Sequence, residues 1–152
     1  MTNPKIISEL CPCKSNVSYH ECCGIYIETG IPAPSAEKLM RSRYTAYATG
    51  KIGYIKDTMK GNALAFFDED SAFLWSERST WKGLKVINVQ DNIGVEGHSY
   101  VEFVACYVLN GKERQLHEIS QFQIEDGVWY YLDGKPGKTR DYVYNNLKWE
   151  SK

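Results

Sequence analysis

The sequence lacks the features that would place a chain in or across a membrane. No apolar run approaches the roughly 20 residues of a transmembrane helix, and the few apolar residues before Cys11 are too short for the core of a signal peptide. An excess of charge is also missing, because 18 basic and 19 acidic residues leave a formal net charge of -1. That balance does not suit a general nucleic-acid binder. We therefore expect a cytoplasmic protein that does not associate with membranes.

Signatures of catalysis are also lacking. The three histidines stand in no Ser-His-Asp order, and we find neither a phosphate-cradling glycine loop nor a nucleophile elbow. Internal repeats and low-complexity segments are missing as well. With 152 residues, 43% of them hydrophobic, the chain can support one sizeable core. The sequence thus favours a non-enzymatic role.

Cysteine is scarce but concentrated, because four of the five cysteines fall within one short segment. In the first pair a single residue separates the two cysteines, and in the second pair they are consecutive. A loop that folds back therefore brings four sulfurs to one tetrahedral ion. A disulfide within either pair would close a very small ring, although disulfides between the pairs remain possible. Reducing cytosol keeps thiols available for metal. We predict a zinc knuckle in residues 1–28, with the ligands Cys11, Cys13, Cys22 and Cys23.

The segment after the knuckle has a helical pattern. Glycine and two prolines in residues 29–34 predict a hinge. Ser35 is a typical N-cap and Gly50 a typical C-terminal stop, and they bound a helix with one apolar face. Acidic residues before residue 71 favour a further helix start. The predicted helices cover residues 35–49, 52–59 and 71–82.

From Leu84 onward the periodicity changes from helical to alternating. Asn-Gly and Asp-Gly are strong hairpin signals, so the later strands should form an antiparallel meander. The face of the third strand that carries His117 is expected to be solvated. The four strands are predicted near residues 84–90, 99–109, 114–124 and 128–133, with a further turn at residues 94–97 between the first two.

Helices followed by strands in one short chain predict an α+β domain. We place it at residues 35–134, with the helices packed on one face of a curved antiparallel sheet. Residues 135–152 form a polar C-terminal tail whose aromatic side chains are able to dock.

Polar residues within apolar faces indicate a candidate pocket. Arg43 falls in the apolar face of the first long helix, and Glu118 and Ser120 interrupt the apolar row of the third strand. Because an unpaired buried charge is costly, we predict an ion pair between Arg43 and Glu118 inside the helix–sheet layer. A curved sheet with helices across it forms a cone. The pair is either purely structural or part of a pocket in the mouth of that cone. The other candidates are Tyr44, Tyr47, Trp81, Tyr107, Tyr130 and Asp133.

Four stretches of the sequence resemble known families. The cysteine segment is similar to the SEC-C motif, named for the zinc-binding tail of the SecA translocation motor. Residues 36–47, 116–122 and 129–134 look like the YchJ family of bacterial proteins. The resemblance implies an NTF2-like (cystatin-like) cone and the four cysteines as zinc ligands, but no reaction. The chain departs from the motif at Lys14 and Asn16, where glycines are usual.

Two functional hypotheses follow. The preferred one is an adaptor in which zinc holds a rigid surface, with Lys14, Tyr19 and His20 contacting a protein or ribosomal partner. His20 is open to three interpretations: a replacement ligand, a hydrogen-bond donor to a sulfur, or a surface residue without a role. The alternative is a small-molecule binder or an enzyme of isomerase, dehydratase or hydrolase type, in which Arg43 and Glu118 orient a ligand inside the cone.

Overall fold

The computed structural model describes residues 9–91 and 97–137, and over these residues the helices precede the strands as predicted. A single 3-10 turn at Tyr19–Glu21 comes before the first helix. The helices are α1 (Cys23–Thr29), α2 (Ala36–Thr49), α3 (Ile52–Asp57), α4 (Gly61–Ala65) and α5 (Glu69–Arg78). The strands are β1 (Ser79–Asp91), β2 (His98–Leu109), β3 (Lys112–Glu125) and β4 (Val128–Pro136).

The four strands form one antiparallel sheet in the order β1-β2-β3-β4. The two predicted hairpin turns are confirmed, because Asn110, Gly111, Asp126 and Gly127 all have positive φ angles. Such angles at both central residues match the right-handed twist of the flanking strands. Register shifts in β1 and between β3 and β4 add local twist, which gives the sheet a concave face toward the helices.

Helix α2 crosses this concave face, and its predicted ends are confirmed. The Ser35 side chain accepts a hydrogen bond from the Lys38 amide at 3.1 Å, which satisfies one of the free N–H groups at the start of the helix. Gly50 ends it in the left-handed conformation, with φ 79°. Leu39 and Met40 are buried against the sheet, so α2 forms the wall between the sheet and the cysteine segment.

The cysteine segment shares its core with the cone. Its four clustered cysteines belong to the same buried cluster as Leu39 of α2 and Phe103 of β2. Ala33, within the predicted hinge, is also buried in this cluster. The segment is therefore packed against the domain, although a hinge was expected between the two at residues 29–34.

The structure corrects the boundary between the last helix and the first strand. Helix α5 ends at Arg78, and Ser79 already pairs with Leu109 of β2. Trp81, predicted on the helix, therefore lies on β1 opposite Tyr107. The helical spacing extended past residue 78, but strand pairing with β2 prevails because the segment is rich in residues that favour a half-buried sheet.

Two sequence predictions lie wholly or mostly outside the described residues. One is the tail, of which residues 135 and 136 belong to β4 and residues 138–152 are not described. The other is the turn at residues 94–97. Within the described ranges, no helix has the length and apolar character needed to cross a membrane.

Candidate metal centre and ligand cavity

The four clustered cysteines meet at one point. One Sγ atom from each lies within 4.8 Å of the other three, and all four residues are buried. The sulfurs of Cys13 and Cys22 are 3.7 Å apart, close to the edge of about 3.8 Å of a tetrahedron with metal–sulfur bonds of about 2.3 Å. All five cysteines are free thiols, so the rival disulfides are not formed. The donor set could hold a metal ion. The cluster consists of Cys11, Cys13, Cys22 and Cys23.

A tight loop brings the first two cysteines toward the second pair. The Cys11 amide donates to the Val17 carbonyl at 2.8 Å, and the Lys14 amide donates to the Cys11 carbonyl at 3.2 Å. Lys14 and Asn16 both have φ 68°, in the left-handed region that glycine occupies most easily. The loop therefore keeps the backbone of a glycine-bearing motif, at a steric cost that is higher for lysine than for asparagine.

Two side chains of helix α2 contact the cysteine cluster. Arg41 Nη1 donates to the Cys13 carbonyl at 3.0 Å and lies 3.9 Å from the Cys13 sulfur. Thr45 Oγ1 is 3.6 Å from the Cys11 sulfur. Such contacts orient ligand atoms around a metal. They also link the cysteine cluster directly to the helix that lines the cavity.

The thiols of the cluster do not ionise equally. Hydrogen bonds from the Cys11 and Cys23 thiols lower the pKa of Cys13, and the hydrogen bonds of Cys23 with Cys11 and Cys13 raise the pKa of Cys23. Negative charge therefore gathers on Cys13 first. A bound cation is the natural means of holding further thiolates at this separation.

The other predicted surface residues of the knuckle differ in exposure. Lys14 and His20 are exposed, and His20 is not part of the sulfur cluster. Tyr19 is half-buried and donates its hydroxyl to Glu28 at 2.7 Å. Gly24 makes this position possible, because a Cβ there would clash with the Tyr19 backbone.

A cavity of about 710 Å³ lies on the other side of α2, between α2, the α4–α5 segment and the concave face of the sheet. Two candidates from the sequence are not in its lining. Tyr107 packs behind Trp81, with ring centroids 5.1 Å apart, and Tyr130 lies beneath the Lys60 ammonium group. The structure places seven candidates around the cavity: Arg43, Tyr44, Tyr47, Trp81, Glu118, Ser120 and Asp133.

The predicted ion pair between Arg43 and Glu118 is wrong. No nitrogen of Arg43 lies within 4.0 Å of a Glu118 oxygen, although both side chains line the cavity. Arg43 is 8% exposed and donates from Nη1 to the Ile55 carbonyl at 2.8 Å and to Thr58 Oγ1 at 2.7 Å. Backbone and hydroxyl oxygens of the neighbouring helix thus accept the hydrogen bonds of Nη1, in place of the predicted carboxylate.

Tyr131 stands between the two charged groups. Its ring lies under the guanidinium, with Arg43 Cζ 4.3 Å from the ring centroid, and its hydroxyl donates to Glu118 Oε2 at 2.7 Å. Ser120 donates to the same oxygen at 2.6 Å. Burial, followed by the charge of Glu118, raises the pKa of Tyr131, so its hydroxyl stays protonated. Gly134 leaves room for this arrangement, because a Cβ there would clash with the Glu118 carboxylate.

Aromatic rings form the apolar wall of the cavity. Trp75 of α5 packs edge-on against Trp81 of β1 at 5.0 Å and against Tyr47 of α2 at 5.1 Å. Tyr44 meets Trp81 edge-on at 5.7 Å. This wall joins three elements and offers ring surface to a bound molecule.

The sequence missed Tyr131 and Trp75 as lining residues. For Tyr131 a signal was present, because strand alternation places Tyr130 and Tyr131 on opposite faces and only one of them can face the helices. The pairing of Phe122 with Tyr131 settles which one does. Trp75 carried no such signal, because its face depended on where α5 ends.

The outer face of β3 is less solvated than predicted. His117 is 6% exposed, and its Nε2 lies 2.7 Å from a carboxylate oxygen of Glu102 on β2, which is 2% exposed. Burial raises the pKa of Glu102. Gly137 passes so close to the imidazole that a Cβ there would clash with it. The chain just after β4 therefore packs closely on His117, at a position that alternation alone marked as polar.

Comparison with known proteins agrees with this architecture. A family profile described as "YchJ, middle NTF2-like domain" matches residues 35–134. A UPF0225 protein of Geobacter sulfurreducens is 40% identical over 128 residues, which is 84% of this chain and 80% of that protein.

Two solved structures share the fold closely. A SEC-C motif containing protein from Rhodopseudomonas palustris is 35% identical, with a TM-score of 0.75, and the match covers 84% of this chain and 98% of that one. A SEC-C motif containing protein from Psychrobacter arcticus is 28% identical, with a TM-score of 0.73, and the match covers 84% and 82%.

The molecule is thus an NTF2-like cone of helices on a curved antiparallel sheet, preceded by a cysteine cluster that could hold a metal ion. The chain belongs to the YchJ family, also described as UPF0225. The resemblance and the fold predicted from the sequence are both confirmed.

Proposed function

We propose that this protein binds a small organic molecule in the cone. We also propose that a zinc ion in the cysteine cluster, on the other side of α2, stabilises the fold. The observation that carries the proposal is the cavity of about 710 Å³ with a buried, charged end and an aromatic wall. Ligand sites combine such an apolar wall with a few convergent polar groups. Arg43 and Glu118 are two of the polar groups that line the cavity, and neither is neutralised by the other.

Zinc is the metal that suits the cysteine cluster best. Four thiol donors with tetrahedral spacing favour a soft or borderline cation, and a closed set of four protein ligands is typical of structural zinc sites. The cluster is buried and is held by Arg41 and Thr45 from α2. The ion would stabilise the fold, and we assign it no chemical step.

The test of the cavity uses a neutral aromatic fluorophore, N-phenyl-1-naphthylamine, which brightens when it enters an apolar site. Ala72 on α5 is 7% exposed and lines the cavity, so Ala72→Phe fills part of the space. We expect this change to weaken probe binding at least about tenfold, because one good apolar contact is worth a few kcal/mol.

The matched control is Ala65→Phe, the same change at an exposed alanine of α4 outside the lining. It should leave the affinity unchanged. Far-UV circular dichroism confirms that both variants fold. Equal binding by wild type and Ala72→Phe would place the probe elsewhere and contradict the proposal.

A second candidate function is the adaptor, and one observation favours it. Leu10 is 55% exposed and Val17 is 41% exposed, and both lie beside the loop that carries Lys14. Exposed apolar side chains on a rigid loop are suited to a protein contact. Co-sedimentation with purified ribosomes tests the ribosomal form of this hypothesis. The double variant Leu10→Ser and Val17→Ser should abolish sedimentation while metal content stays unchanged, whereas wild-type protein left in the supernatant would contradict it.

A further inference from the structure

The charged end of the cavity contains two side chains with unused hydrogen-bonding capacity. Both hydrogen bonds of Arg43 leave from Nη1, to Ile55 and Thr58. Both hydrogen bonds accepted by Glu118 end on Oε2, from Ser120 and Tyr131. Within residues 9–91 and 97–137, Nε and Nη2 of Arg43 and Oε1 of Glu118 have no hydrogen-bond partner.

The atoms without hydrogen-bond partners are donors on Arg43 and an acceptor on Glu118. A guanidinium only donates hydrogen bonds, and an ionised carboxylate only accepts them. Arg43 is 8% exposed and lines the cavity. A molecule that enters must supply an acceptor for Arg43 and a donor for Glu118, because leaving either group desolvated without a partner is costly.

The spacing of the two groups limits the size of the ligand's head group. Arg43 lies over the ring of Tyr131, and the hydroxyl of that same ring touches Glu118. The two charged groups therefore lie over the face and at the hydroxyl of one phenol ring. In a primary amide the carbonyl oxygen and the NH2 group are bonded to one carbon, so a single small head group offers an acceptor and a donor together.

Much of the remaining lining is apolar, although Asn62, Asp68, Ser71 and Asp133 also contribute polar side chains. Trp75 and Trp81 present aromatic surface, and Met40 and Met59 supply adaptable thioether side chains. Flat apolar molecules gain most from such walls.

We propose that the cavity binds an aromatic molecule whose head group carries a hydrogen-bond acceptor next to a donor. The acceptor meets the Arg43 guanidinium and the donor meets Glu118 Oε1. The ring lies against the wall formed by Trp75 and Trp81. This assignment rests on the proposed function and adds the class of ligand.

Three compounds with the same phenyl group test the head group, each measured by displacement of N-phenyl-1-naphthylamine. 3-Phenylpropanamide has both an acceptor and a donor, 3-phenylpropionate has only acceptors, and 2-phenylethylamine has only donors. We expect the amide to bind at least about tenfold more tightly than either of the other two, since each charge-assisted hydrogen bond is worth roughly that factor.

Two variants separate the contacts. Arg43→Met should weaken the amide and the propionate about tenfold and leave the amine unchanged. In Glu118→Gln the new carbonyl oxygen takes the two hydroxyl donors from Ser120 and Tyr131, so its NH2 group faces the cavity. This variant should weaken the amide and the amine and strengthen the propionate.

Arg114→Met and Glu113→Gln are the matched controls, because both residues are exposed at the far end of β3 and neither lines the cavity. Neither control should change any affinity. If Arg43→Met does not fold, the test of the head group depends on Glu118→Gln, which should bind the amide more weakly and the propionate more tightly.

Equal displacement by the three compounds, or equal effects of each variant on all three, would overturn the assignment of the head group. The proposed function would survive that result provided Ala72→Phe still weakens binding of the fluorophore. Fluorophore binding that Ala72→Phe leaves unchanged would instead overturn the proposed function itself.

Discussion

Removal of the zinc ion that we propose for the cysteine cluster should lower the stability of the whole described fold rather than of the cysteine segment alone. The four cysteines belong to the same buried cluster as Leu39 of α2 and Phe103 of β2. Helix α1 has only seven residues, too few to persist without tertiary contacts. Loss of the ion therefore exposes one side of α2, which also carries Arg43 and Tyr47 of the cavity.

The size of the effect follows from linkage. A ligand at 1,000 times its dissociation constant stabilises the folded state by about 4 kcal/mol. For a chain of about 150 residues, each kcal/mol shifts the midpoint of thermal unfolding by roughly 2–4 °C. We therefore expect dipicolinate to lower the midpoint by about 8–16 °C, and added zinc to restore it.

Differential scanning calorimetry, with zinc measured by elemental analysis of the same samples, provides the assay. The purified protein should contain one zinc ion per chain and unfold in one transition that shifts with metal. Cys22→Ser should reproduce the loss, whereas Cys106→Ser should not, because Cys106 is outside the cluster. A separate small transition, with the main one unchanged by chelator, would refute the shared core as the route of stabilisation.

Further predictions concern single residues. Lys14→Gly should raise the free energy of unfolding by about 0.5–1 kcal/mol in urea titrations, because it relieves the left-handed backbone at φ 68°; no gain would show that the loop is not strained. Gly134→Ala should cost about 1–3 kcal/mol, because its Cβ would clash with the Glu118 carboxylate. The matched control Gly53→Ala meets nothing within 4 Å and should gain up to about 1 kcal/mol, so similar effects at both sites would contradict the clash. Leu39→Ala, at a position that is 1% exposed, should cost about 3 kcal/mol by the same assay, and a cost below about 1 kcal/mol would argue against its place in the core.

Local chemistry made much of the fold predictable. Ser35 and Gly50 bound α2, as their capping preferences require. Asn110 and Asp126, each followed by glycine, make the two hairpin turns. The cysteine spacing indicated the cluster. All of these signals act over a few neighbouring residues, so the sequence carries them directly.

Features that depend on distant partners were harder to predict. Helical spacing predicts Trp81 on a helix, but Trp81 lies on a strand because it pairs with Tyr107 of β2. The periodicity of α2 placed Arg43 in an apolar face, but its hydrogen-bond partners come from α3 and the residue after it. The contact between His117 and Glu102 depends on the register of β2 against β3, which alternation does not specify.

The most direct test of ligand binding in the cone is NMR of 15N-labelled protein titrated with 3-phenylpropanamide. The side-chain N–H signals of Arg43, Trp75 and Trp81 should shift as ligand is added and should stop shifting when the site is saturated. The Gly134 amide should shift with them, while the Gly111 amide in the exposed hairpin turn stays fixed. An Arg43 Nε–H signal that does not move at saturation, or shifts confined to residues outside the cavity, would contradict the account.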